Sequence, residues 1–238
     1  MTDADSYRRR MWRGDPLTVA EARRAYRLDP AKGLIPYARA LYSFRHKPKC
    51  AKGLVELRSE LAPYAERYLA HVSAMRGAQR LRMPDGERHA LADTADVLST
   101  HLEWISRQPT VPRAGPLSGT RLLALAEGAC EEGIRLCLVD SELARGHTYC
   151  LLRLTEAMIR MRQKRPLVDE ALASAMWGAD GLSDPNQKAR VCRKVGLILR
   201  KRGRSGESLW WGIKACLIPG STRAVRLKSL AALCGIER

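Results

Sequence analysis

Between Lys188 and Gly220 the chain reads KARVCRKVGLILRKRGRSGESLWWGIKACLIPG, and two interleaved periodicities leave few folds open to it. Val191, Val195 and Ile198 recur at helical spacing, and Cys192 and Leu199 widen that face into an apolar stripe. Arg190, Lys194 and Lys201 fall on another face, with Arg193 and Arg200 beside them. This pattern predicts an amphipathic helix with a cationic outer surface. Gly203 suits a left-handed C-cap, and cations near a helix C-terminus meet the negative end of the macrodipole. A second helix is expected from about Gly206, stopped by Pro219-Gly220. The product is a helical hairpin.

The rest of the chain agrees with an all-α fold. Hydrophobic residues make up 45% of the 238 positions, enough for one large or two small cores. Phe44 is the single phenylalanine, while Leu and Ala are abundant, which favours Leu/Ala-packed helices over sheets. Residues 1–14, with Arg8, Arg9, Arg10, Trp12 and Arg13, read as a basic N-terminal arm. Residues 15–107 read as an N-terminal helical subdomain, opening with a helix at Leu17–Leu28 that has Thr18 as N-cap and Glu21 at the capping-box position. The following segment has some helix-turn-helix character, but Pro36 inside its second helix argues for a plain hairpin. Further helices are expected over 51–81, with Pro63 inside, and 87–107 after a Met83-Pro84-Asp85-Gly86 turn. Residues 108–119 carry three prolines and two glycines and read as a linker. Residues 120–238 form the second subdomain, with helices at 120–139, 147–162, 168–181, the hairpin above, and a closing helix at 222–233.

The 188–219 hairpin resembles a tetratricopeptide repeat. Val195-Gly196 matches the large-residue-then-glycine pair of the first helix, and Gly203 the inter-helix turn. Glu207-Ser208, Ala215 and Pro219 match the opening, the late small residue and the closing proline of the second helix. The early tryptophan is missing, Gly212 stands where the family has a bulky aromatic, and Pro219 comes one position early. Glu170-Ala171 echoes Glu207-Ser208 at an offset of 37 residues, against about 34 in the family. The resemblance implies a helical bundle followed by a short α-solenoid of stacked hairpins. It also implies a protein partner, because this family mostly binds proteins.

Charge points to a polyanion. The chain has 42 Lys and Arg against 25 Asp and Glu, a net charge of +17. Residues 188–238 hold 13 basic and 2 acidic residues, residues 1–60 hold 14 and 7, and residues 121–187 hold 8 and 10. A positive field concentrated at the two ends suits nucleic acid, DNA or RNA, held through phosphates without sequence readout. The phosphate contacts would come from Arg190, Arg193, Lys194, Arg200, Lys201, Arg202 and Arg204, helped by Arg8, Arg9, Arg10 and Arg13. Trp210, Trp211 and Trp12 are the candidate stacking platforms for a base. The alternative is an adaptor that grips an acidic peptide or a partner subunit.

Other function classes find little support. Cys50, Cys130, Cys137, Cys150, Cys192, Cys216 and Cys234 are odd in number and contain no Cys-x-x-Cys pair, which suits a reducing cytoplasm. No apolar run of membrane-spanning length occurs, and the N-terminus lacks a signal-peptide core, so no membrane partner is expected. His46, His71, His89, His101 and His147 are scattered, and His46 with Cys50 falls short of the three or four ligands zinc needs. No phosphate-binding loop, dinucleotide fingerprint or nucleophile elbow is present. The adjacent carboxylates Glu131-Glu132 and Asp169-Glu170 diverge by about 100° on a helix, as solvated or helix-terminal charge does. The chain therefore reads as non-enzymatic, with no catalytic residue, metal or cofactor.

Overall fold

The computed structural model describes residues 18–28, 50–75, 82–108, 111–139 and 141–234, with Ser6 and Gln79, and leaves the side chains of 50–57 aside. The arm residues Arg8, Arg9, Arg10, Trp12 and Arg13 lie outside the described residues, as does the helix expected around Pro36. Every regular element among the described residues is helical, and none is long and apolar enough to cross a membrane.

In chain order the α-helices are α1 Val19–Leu28, α2 Cys50–Ala74, α3 Asp85–Ile105, α4 Gly119–Leu138, α5 His147–Arg162, α6 Val168–Asp180, α7 Pro185–Lys201, α8 Ser205–Leu217 and α9 Arg223–Leu233. A 3₁₀ turn at Leu143–Arg145 precedes α5. They fall into two units, one of residues 1–75 with 93–129, the other of residues 76–92 with 130–238.

In the first unit, α1 opens on the expected capping box. The Thr18 amide donates to Glu21 Oε2 at 2.9 Å, and the Glu21 amide donates to Thr18 Oγ1 at 3.2 Å. Arg121 of α4 pairs with Glu66 of α2 at 2.9 Å, and Gly128 lets the Leu69 side chain approach α4 closely. Residues 108–119 belong to this unit. Gly119 sits so near Ser106 that an added Cβ would lie 3.0 Å from its carbonyl oxygen.

The second unit is built from hairpins. α5 packs on α6 and α7 on α8; α7 also packs on α5 and α6, and α9 covers α7 and α8. Helices α5, α7 and α9 begin at 147, 185 and 223, evenly spaced along the chain. Their shared core is made mostly of small and branched residues, among them Leu154, Ala175, Val191, Val195, Ile198, Ala215 and Val225, with Trp211 the one large aromatic among its described residues. Small side chains at helical spacing allow close helix approach. A Cβ on Gly178 would meet Cys150 Sγ at 2.8 Å, and one on Gly196 would meet the Ser208 carbonyl oxygen at 3.1 Å.

The helix expected over 51–81 ends at Ala74, and two other boundaries differ from the sequence reading for local reasons. Asp184-Pro185 starts α7, ahead of Lys188 where the sequence pattern was read to begin: Asp184 Oδ1 accepts from the Asn186 amide at 2.8 Å, and Pro185, lacking an N–H, occupies the first turn. Asp85 likewise begins α3, where a turn through Gly86 was expected. Gly203 has φ +76, the left-handed cap expected of it, and Gly220 has φ +77 after α8 ends.

Candidate nucleic-acid interface

Helix α7 has no carboxylate in its 17 residues, and neither has α9 in its 11. The apolar stripe of α7 is consumed by the core, with Val191, Cys192, Val195, Ile198 and Leu199 all buried. Its cations are thereby turned outward. Arg190, Arg200 and Lys201 are exposed, while Arg193 and Lys194 are half-buried. From α9, Arg223, Arg226 and Lys228 are also exposed. Because α9 packs on α7, the two carboxylate-free helices are neighbours.

The arginines beyond the end of α7 are differently placed. Arg202 and Arg204 both donate through Nη1 to Asp169 Oδ1 in the first turn of α6. Arg204 further clasps Glu207 through two hydrogen bonds of 2.6 Å, Nε to Oε1 and Nη2 to Oε2. The hydrogen bond from Arg202 is the main force holding the Asp169 carboxyl below its ordinary pKa, even though this side chain is largely exposed. These two guanidiniums thus already have anionic partners, which a phosphate would have to displace. Sequence reasoning treated Asp169 as solvated or helix-terminal charge, with no partner named. The hairpin stacking carries it to the α7–α8 turn 33 residues away, and the only sequence signal was the repeat offset.

Arg200 reaches across to α9, where Nη1 donates to the Ala232 carbonyl at 3.3 Å. With Arg193, Leu197, Ser205, Leu209 and Leu233 it lines a cleft of about 260 Å³ where α7, α8 and α9 meet.

The tryptophan pair divides. Trp211 is buried in the core, while Trp210 is 55% exposed, with the rings edge-to-face at 4.8 Å and 88°. Lys214 Nζ lies 5.1 Å from the Trp210 ring centroid and 4.5 Å from that of Trp211, within cation–π range. A free indole face therefore belongs to Trp210 and not to Trp211. Trp177, equally exposed and with the Arg145 guanidinium 5.5 Å from its ring, escaped the sequence reading because nothing in its helical spacing sets it apart.

No group of three or more His, Cys, Asp or Glu side chains among the described residues could hold a metal ion. Burial pushes the Cys150 thiol up to about 12 and also raises Cys192 and Cys216, so these sulfurs are poor nucleophiles at neutral pH. What the described surface offers chemically is fixed positive charge, the exposed indoles of Trp177 and Trp210 and an apolar helix face. No protein-family model, curated protein or solved structure matches this chain.

Proposed function

We propose that this chain is a non-enzymatic nucleic-acid-binding protein that holds phosphates along α7 and α9, as a subunit of a nucleoprotein complex. One observation carries the reading: two neighbouring helices contain no acid and expose Arg190, Arg200, Lys201, Arg223, Arg226 and Lys228. Such a surface attracts a polyanion by counterion release and carries little base readout. In this reading the second unit is a short tetratricopeptide-like solenoid, two hairpins closed by α9. The close approach of Gly196 to Ser208 and the even spacing of α5, α7 and α9 support it. The described cysteines are free thiols, in keeping with a cytoplasmic protein.

The test is a salt series on nuclease-treated protein with labelled single- and double-stranded DNA and RNA. The quadruple variant Arg190→Gln, Lys201→Gln, Arg223→Gln, Lys228→Gln should bind more weakly. Its log–log salt slope should be shallower by roughly 3, at about 0.7–0.9 per lost phosphate contact. The double variant Arg202→Gln, Arg204→Gln should change the slope far less, because Asp169 and Glu207 occupy those groups. An unchanged slope in the quadruple variant would sink the assignment.

A second reading, an adaptor for an acidic peptide or a partner subunit, draws on a different surface: Leu209, Trp210, Ile213 and Leu217 stand exposed on α8. An adaptor would keep its protein partner in the quadruple variant, since none of the four substitutions touches that face.

A further inference from the structure

The cleft where α7, α8 and α9 meet is built like a small-molecule site. Its volume of about 260 Å³ is just under the roughly 300–1,000 Å³ of pockets for drug-sized ligands, so its occupant is small. Leu197, Leu209 and Leu233 supply apolar walls, one from each helix, and Gly196 and Gly212 line it with bare backbone. Set into this apolar surround are two guanidiniums, of Arg193 and Arg200, and two hydroxyls, of Ser205 and Ser208.

The lining selects by what it holds and by what it lacks. Among the described residues that form it there is no carboxylate, so an amine finds no counter-ion, and no aromatic ring, so a nucleobase finds no stacking surface. An anion is answered instead. Arg193 and Arg200 are seven residues apart, about two turns of α7, and therefore share one face. Unlike Arg202 and Arg204, Arg200 has no carboxylate partner among the described residues. The bond it makes, from Nη1 to the Ala232 carbonyl at 3.3 Å, goes to a neutral acceptor and fixes the guanidinium against the α9 wall. A guanidinium has five N–H donors, so most of the fork remains for a second acceptor. Ser205, across the α7–α8 turn, brings a hydroxyl to the same end of the cleft.

We propose that this cleft binds a small aliphatic anion: a carboxylate or phosphate head gripped by Arg200 and Ser205, with a short alkyl body lying along Leu197, Leu209 and Leu233. Arg193 adds positive potential further along the cleft. The site stands apart from the nucleic-acid reading, because its occupant is recognised with no nucleic acid present.

Calorimetric titration of the nuclease-treated full chain with octanoate and with octyl phosphate, each below its micelle-forming concentration, tests this. One molecule should bind per chain, and the tighter of the two names the head. Octanol keeps the body without the charge, and inorganic phosphate keeps a charge without the body. Each should bind at least about tenfold more weakly, the loss expected when a charge-assisted contact or the apolar burial is missing. Leu209→Glu sets a carboxylate in the wall and should abolish anion binding, while circular dichroism shows unchanged helix content because this side chain is 54% exposed. Arg200→Gln should weaken octanoate by about tenfold or more, and Arg200→Lys by less, since it keeps the charge but loses the planar fork. A wild type that binds neither anion overturns the proposal. So does octanol binding as tightly as octanoate, or anion binding that survives Leu209→Glu or Arg200→Gln unchanged.

Discussion

At position 212 a methyl group would need space that Leu233 already fills. A Cβ there would lie 2.1 Å from one methyl of Leu233 and 2.7 Å from its Cγ, so the side chain of α9 must move bodily. Gly212→Ala is therefore expected to destabilise the chain by up to about 2 kcal/mol, the roughly 1–3 kcal/mol cost of overpacking less the roughly 1 kcal/mol of helix propensity gained. Gly206, exposed in the first turn of α8 with nothing within 4 Å of its Cβ position, is the control. Gly206→Ala should leave stability unchanged or raise it by some tenths of a kcal/mol. Urea unfolding of the two variants decides the matter by the opposite signs of their midpoint shifts. In the sequence Gly212 was only a departure from an aromatic position. Its reason is a contact with Leu233, 21 residues further on, which no local periodicity encodes. Gly203 was legible for the converse reason: a left-handed cap is a property of one residue's own backbone.

Elements tell the same story one level up. The amphipathic pattern marked α7 because burial of one face writes itself into spacing, Pro219-Gly220 marked the end of α8, and the Thr18–Glu21 box marked α1 because both partners lie within one turn. Which element sits against which is written far more faintly. The link between α6 and the α7–α8 turn is made by Asp169 with Arg202 and Arg204, and in the sequence these are merely an acid at a helix start and members of a basic run. Arg202 and Arg204 were legible as positive charge but not as already partnered charge. The pairing predicts a pH signature. Because the folded state holds the Asp169 carboxyl below the ordinary 3.8, its stabilising contribution is fully present above that pH and is lost as the pH falls through the lowered value. The difference in melting temperature between wild type and Asp169→Asn should accordingly be constant near neutrality and vanish in acid. The stability difference behind it should not exceed about 1 kcal/mol, since the carboxylate is solvent-screened. A difference that persisted unchanged well below the ordinary carboxylate range would show that the arginines do not act through this charge.

For the molecule as a whole, +17 is an internal strain as well as a lure for polyanions. With the cations of α7 and α9 gathered on adjacent helices, simple salt should relieve it. The melting temperature is expected to rise between low salt and about 0.15 M NaCl, where the Debye length shortens to about 8 Å. A fall over that range, measured by differential scanning fluorimetry, would mean that ion pairs outweigh repulsion. The stacking of the second unit adds a mechanical consequence. Helix α9 is held by α7 and α8, with the Thr222 amide bonded to Asn186 Oδ1 at 2.8 Å and Arg200 tied to the Ala232 carbonyl. Helix α7, by contrast, is wedged among four others. In a row of neighbour-held units, opening starts at the end with fewest attachments, so α9 is the joint that gives first. A polyanion lying across α7 and α9 would splint that joint, bracing the array where it is weakest.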